Sequence, residues 1–263
     1  MRYRISTLAF LLWSPLVLAQ SDATEIMRKV DERYTGDSSN SNATLVLIDK
    51  KDRQRLRELT LFSLDNAEVD KSIIFFRSPA DVKNTAYMAF DWKDESREDD
   101  TWLYLPALQK VQRVAASDES GSFMGSDFSY ADINGLDFGD FTYTLEKESD
   151  PVEGADCWVI KSVARNEDVV KETGYTESLS WVRKDAFMTV KAVIEVKKGK
   201  RTKYFVASDI EKIDGIWTAQ TLQMVTTRRG EREHSSVFKI RDIKYNQDVD
   251  ATMFDTQAMQ RGI

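Results

Sequence analysis

Cysteine and histidine occur once each in 263 residues, and proline only four times. Each scarcity removes a class of chemistry. A single thiol, Cys157, makes no internal disulfide, so the fold must rest on apolar burial. The same count excludes a metal centre built from several His or Cys ligands. Cys157 precedes Trp158-Val159-Ile160 in a strand-like run and reads as a small buried hydrophobe. His234 stands in the polar run Arg232-Glu233-His234-Ser235-Ser236 beside a turn signal, which predicts a solvent-exposed ring. A Ser/His/Asp triad would have to recruit it, and no Gly-x-Ser-x-Gly elbow accompanies it. Gly121 and Gly125 neither lead into a Gly-Lys-Ser/Thr pattern nor open a clear helix, so a phosphate loop is not indicated.

Basic charge is also in deficit, with 37 Lys and Arg against 44 Asp and Glu. The net charge of −7 becomes −9 without Arg2 and Arg4. Such a chain is a poor ligand for nucleic acid and is expected to avoid anionic surfaces. Glu95, Glu98, Asp99 and Asp100 form a dense acidic group that could bind a cation or act as an acid/base pair. It lacks the alternating spacing of a calcium loop and reads as a solvated turn. No metal, no cofactor and no enzymatic activity are expected.

Apolar runs are short after the first twenty residues. Residues 1–19 have the layout of a secretory signal peptide: Arg2 and Arg4, an apolar stretch from Ile5 to Leu18, then Val17-Leu18-Ala19. Cleavage is expected after Ala19, leaving residues 20–263 as a single domain in the periplasm. Pro15 interrupts the apolar stretch, which is short for a span of ~20 residues. No Cys follows to carry a lipid anchor.

The mature chain opens on a helical pattern. Asp22 and Glu25 have the spacing of a variant capping box, and Ile26, Val30 and Tyr34 fall on one face. Gly36 and the stretch from Ser38 to Asn42 then predict a loop. Thirteen strand-like runs follow: 44–48, 58–64, 72–77, 85–91, 101–105, 110–115, 142–148, 157–164, 175–183, 188–196, 202–208, 216–226 and 236–245. Met188, Val190, Ala192, Ile194 and Val196 alternate with other residues as a half-buried strand requires. Asp214-Gly215 is the strongest hairpin signal. Short connections imply a meander of antiparallel hairpins, and so long a sheet curls, packs on itself or closes. Residues 149–154 could mark a seam between halves. Near the end, Asp250 is placed to cap a short helix carrying Met253, Phe254 and Ala258.

Ser117 to Gly139 breaks the pattern. It lacks strand periodicity and is rich in Gly, Ser, Asp and aromatics, and loops of this length are more often functional than accidental. Phe123, Met124, Phe128 and Tyr130 sit where core packing does not obviously demand them. They would cover an apolar cavity or dock on a partner, or fold back to plug the sheet's own core; both readings stay open.

Three segments carry a resemblance. They are Trp102-Leu103-Tyr104-Leu105-Pro106-Ala107-Leu108 with Arg113 after it, then Ser122-Phe123-Met124-Gly125-Ser126-Asp127-Phe128-Ser129-Tyr130-Ala131-Asp132, and upstream Phe75-Phe76-Arg77-Ser78-Pro79-Ala80-Asp81-Val82-Lys83-Asn84-Thr85. Together they resemble the bacterial outer membrane lipoprotein-sorting family, LolA/LolB-like, in a longer uncharacterised branch. Asn84 stands where that family usually has glycine, a mild change because Asn tolerates positive φ. The resemblance implies a strongly curved antiparallel sheet forming an incomplete β-barrel. An N-terminal helix, a short C-terminal helix and a loop or helix lid would cover its apolar hollow. It implies a carrier that shields lipid or lipoprotein acyl chains between membranes, with only transient membrane contact. Trp102, Tyr104, Leu105, Phe123, Met124, Phe128 and Tyr130 are the expected cavity or lid contacts, with Phe75, Tyr87, Met88 and Phe90 beside them. Arg113 would meet an anionic headgroup or cap the loop through Asp127 or Asp132. The alternative is a non-catalytic accessory subunit docked on an inner-membrane efflux-type transporter. A hollow of several hundred Å³ lined by these aromatics fits the carrier, and a filled interior fits the docked subunit.

Overall fold

The computed structural model describes residues 22–94 and 97–263. The expected signal peptide, Gln20 and Glu95 lie outside them. Among the described residues, no helix is long and apolar enough to cross a membrane.

Asp22 caps helix α1 (Ala23–Asp31) by accepting from the Thr24 amide at 2.9 Å, while Glu25 pairs with Arg28 rather than closing a capping box. The helix lays Ala23 and Ile26 on Ile160 and Val182. It stops before Tyr34, which is exposed instead of extending the apolar face.

All thirteen expected strands form: β1 (Ser38–Asp49), β2 (Gln54–Asp65), β3 (Val69–Ser78), β4 (Ala86–Trp92), β5 (Asp100–Leu105), β6 (Lys110–Val114), β7 (Phe141–Lys147), β8 (Cys157–Ala164), β9 (Tyr175–Arg183), β10 (Met188–Val196), β11 (Arg201–Ile213), β12 (Ile216–Arg228) and β13 (Glu231–Tyr245). The Ser/Asn stretch expected to be a loop is the start of β1. Its short polar side chains bond across the ladder, Ser38 to the Gln247 carbonyl at 2.7 Å and Ser39 to Ser63 at 2.7 Å, so a strand satisfies them as well as water would. At Asp214-Gly215 both residues take positive φ (52° and 83°), as a two-residue hairpin turn requires.

One antiparallel sheet contains every strand, in the order β6-β5-β4-β3-β2-β1-β13-β12-β11-β10-β9-β8-β7. It is an open, strongly curved sheet and not a closed barrel. The two meanders, β1–β6 and β7–β13, are hydrogen-bonded to each other where β1 meets β13. Residues 149–154 are therefore a turn between β7 and β8, and the halves divide elsewhere.

β6 and β7 are the two outer edges, yet they are consecutive in the chain. Residues 115–140 must cross the concave face to join them. This crossing segment holds helix α2 (Tyr130–Asn134) and several 3₁₀ turns. Helix α3 (Glu167–Thr173), absent from the expectation, links β8 and β9; Asn166 caps it and Gly174, at φ +80°, ends it. The C-terminal helix is split into a 3₁₀ turn capped by Asp250 and helix α4 (Thr256–Arg261) capped by Asp255.

Strands β3 and β4 are buried on both faces. Ile74, Phe76, Tyr87 and Ala89 point to the crossing segment, while Ile73, Phe75, Ala86 and Met88 point to Phe254 and Met259 on the opposite side. In β10 a bulge at Thr189/Lys191 divides the expected single face: Met188 and Val190 pack with Cys157, and Ala192 and Ile194 join the core under the crossing segment. Cys157 is a free, fully buried thiol, and burial pushes its pKa up.

Candidate functional site

The concave face carries an apolar core drawn from both halves of the sheet: Leu45 and Leu47 of β1, Leu59 of β2, Phe76 of β3, Ile194 of β10, Met224 of β12 and Phe238 of β13. The crossing segment fills its centre. Phe123 has no exposed surface and lies 5.2 Å from the Tyr87 ring and 6.0 Å from Phe76. Tyr130 stacks edge-on against Phe123 at 5.6 Å, and Phe128 meets Phe238 at 5.3 Å. Met124, at φ +49°, packs against the rim of the same core. Of the two readings left open for this segment, the structure has the plug.

Polar contacts fix the plug at four points. Ser129 and Asp132 form a reciprocal capping box on α2, with bonds of 2.7 and 3.1 Å. Asp132 then accepts from Tyr175 at 2.7 Å and from Lys203 at 3.1 Å, while Lys203 also donates to the Tyr175 hydroxyl at 2.7 Å. Burial, with Asp132 beside it, raises the Tyr175 pKa well above its usual value. Asp127 exchanges two bonds with Ser236, at 3.0 and 2.7 Å, and takes a close contact from His234. Arg57 donates to the Met124 carbonyl. Asn134 bonds Thr101, Glu119 and Tyr87, tying the end of α2 to the β4–β5 side.

His234 is half exposed, as expected, and is also partnered. The Asp127 carboxylate holds its pKa above the ordinary histidine value. Ser236 donates to that carboxylate and not to the imidazole, so the three residues lack the hydroxyl-to-imidazole contact that activates a nucleophile.

The expected contact residues fall on two faces of the sheet. Phe123, Met124, Phe128, Tyr130 and Tyr87 meet in the concave core. Phe75, Met88, Phe90, Trp102 and Tyr104 form a second cluster with α4, where Phe90 and Trp102 are 5.0 Å apart. Strand alternation causes the division: Trp102 and Tyr104 point one way, and Leu103 and Leu105 the other. Arg113 pairs with Asp100 at 2.7 Å, so neither Asp127 nor Asp132 is its partner. Lys203, Tyr175, Ser236 and Arg57 were missed because each is a polar residue on an ordinary strand. The Ser129-x-x-Asp132 spacing, a capping-box variant, is the signal that could have found the α2 anchor.

Acidic groups gather where Asp91 and Asp99, on either side of the β4–β5 connection, meet Asp137 just before β7. Carboxylate oxygens of Asp91, Asp99 and Asp137 lie within 4.8 Å of one another, close enough to share a cation. Burial first, and then the neighbouring carboxylates, push Asp91 up to about 7 and raise Asp99. Protonation therefore relieves the repulsion, and the amide of Trp92 donates to Asp99 at 3.0 Å. Asp99 and Asp100 are thus structural partners and not a fully solvated turn.

A family model described as that of an uncharacterised protein matches residues 68–261. A domain from Vibrio parahaemolyticus named for outer membrane lipoprotein sorting is similar over 91% of this chain and 98% of its own, at 25% identity and a TM-score of 0.80. The chain belongs to that uncharacterised family, and its fold is that of outer membrane lipoprotein-sorting and LolA-like proteins. A DUF1329 family protein from Desulfovibrio piger covers 90% and 97% at 29% identity, again with a TM-score of 0.80. A LolA superfamily protein from Nitrosomonas europaea shares the fold at 20% identity, covering 91% and 100%, with a TM-score of 0.66. No protein of curated function matches the chain. Where the lipoprotein-sorting proteins it resembles usually have glycine, Asn84 keeps the backbone that glycine would supply, with φ at +65°.

Proposed function

We propose that the protein is a periplasmic carrier whose single domain, residues 20–263, shields the acyl chains of a lipid or lipoprotein as they pass between membranes. One observation carries this reading: the concave apolar core is completed by side chains from one crossing segment, held largely by side-chain hydrogen bonds. Withdrawing residues 122–130 would break no pairing between sheet strands and would leave an apolar trough. Phe123 and Phe128 stand where acyl chains would lie. Burying a Phe side chain is worth about 1.5–3 kcal/mol, so their exposure costs about 3–6 kcal/mol. An acyl chain of about fifteen methylenes returns about 12 kcal/mol at ~0.8 kcal/mol each, enough to offset that loss and the broken polar contacts.

The filled interior supports a second reading, in which the segment never leaves and the protein is an accessory subunit. The relatives' names supply no efflux-type transporter for it. One experiment separates the two. In a C157S background, D127C/S236C places two thiols where the plug bonds to β13. If the plug must move, the oxidised protein fails to take up a fluorescent fatty acid and reduction restores uptake. Equal uptake in both states would overturn displacement of the plug; no uptake in either, together with lipid-free protein from the periplasm by mass spectrometry, would overturn the carrier.

A further inference from the structure

The chain's negative net charge conceals a local excess of the opposite sign. Residues 49–53, 197–201 and 228–232 hold ten basic and three acidic side chains, in a chain that has 37 and 44 overall. These are the turns β1–β2, β10–β11 and β12–β13. The six strands lie side by side as β2-β1-β13-β12-β11-β10, so antiparallel pairing brings all three turns to one end of the sheet. Nearby acids are already used: Arg53 pairs with Asp49 at 2.6 Å, Arg201 with Glu233 at 2.5 Å, Arg232 with Asp52 and Lys197 with Glu167. Lys50, Lys51, Lys198, Lys200 and Arg229 are exposed and form no ion pair among the described residues. The two-residue turn at Arg229-Gly230, with φ of 53° and 84°, holds its cation on a short tip.

Two adjoining cavities open between these turns. One, of about 590 Å³, is lined by Lys50, Lys51, Arg53, Arg55 and His234 together with Asp49, Asp127 and Glu233; the other, of about 710 Å³, by Lys50, Arg201, Arg228, Arg229 and Arg232 together with Glu231 and Glu233. Lys50 belongs to both. In each wall the basic side chains outnumber the acidic ones, in contrast to the apolar core behind the plug.

We propose that this end of the sheet docks on an anionic lipid bilayer, with the unpaired cations at the three hairpin tips meeting headgroup phosphates. Protein interfaces draw their affinity from buried aromatic and arginine anchors; the three turns hold no aromatic residue, and of their arginines only Arg229 forms no ion pair among the described residues. A charged bilayer asks only for basic side chains within a Debye length of its surface. The expectation that an acidic chain avoids anionic surfaces therefore fails at this end, because net charge averages over faces that a membrane meets one at a time. Docking needs no cargo, so it stands or falls separately from the carrier reading.

The test is vesicle flotation with the full mature chain. Binding is expected to phosphatidylglycerol/phosphatidylethanolamine vesicles and not to phosphatidylcholine vesicles, with loss at high salt. K50E/K198E/R229E, one change per hairpin, should lower binding on the order of 100-fold. K110E/K239E/K244E, with the same change in net charge elsewhere, should keep it, and circular dichroism checks that both fold. Equal binding to both vesicle types, equal loss in the two variants, no binding at all, or tighter binding to a DNA duplex or an acidic polypeptide than to the anionic vesicles would overturn the assignment.

Discussion

At the scale of single residues, Asp127 is the pivot of the plug because its carboxylate serves both Ser236 and His234. A folded-state pKa raised above the ordinary 6.5 means that protonated His234 is favoured by the fold. Its contribution is complete below about pH 6.5 and is lost as pH rises through the raised value. Half the imidazole is open to water, so screening keeps the effect modest. Hydrogen exchange across residues 126–134, corrected for intrinsic rate, should be slower at pH 6 than at pH 8.5. In H234Q the two rates should agree; if the wild type already shows no difference, the histidine does not latch the segment.

Among elements, α4 and the crossing segment divide the aromatic residues between two jobs. Met259 is fully buried against β3 and β4 on the side opposite the plug. M259A should destabilise the protein by about 2–5 kcal/mol in urea titration, while fatty-acid uptake of the folded fraction stays unchanged. Reduced affinity in that folded fraction would instead place the α4 side in the cargo path. The same division shows what the sequence made legible. Strands β8, β9 and β10 begin and end where their apolar pattern does, since alternation is a local signal. Which side Trp102 or Phe123 faces is not local: it depends on the β5 register and on the path of residues 115–140. The Ser38–Asn42 strand was hidden because its support comes from distant β13 and β2, and α3 because seven residues carry too little periodicity to show. In the sequence Arg113 reads as the partner of a headgroup, of Asp127 or of Asp132; its actual partner, Asp100, became visible only when β5 and β6 came together.

For the molecule as a whole, the two meanders are built from neighbouring strands, whereas the seam pairs residues 39–49 with 234–245. Local hairpins should form early and the seam late, since distant pairing must first close a long loop. A chain ending at Arg229 keeps every strand except β13 but exposes β1 as a long unpaired edge. Such edges recruit other chains. Size-exclusion chromatography should find this truncation as oligomers or aggregate; a well-behaved monomer would show that the seam is dispensable.

The meeting of β1 with β13 also bears on biogenesis. A polypeptide leaving a ribosome or a translocation pore amino-terminus first releases β1 almost at once and β13 nearly last. Throughout that interval the innermost ladder of the sheet has no second half, so the chain is unable to complete its native structure too soon. A chain that is exported before it folds would need such a delay, and this strand order supplies one.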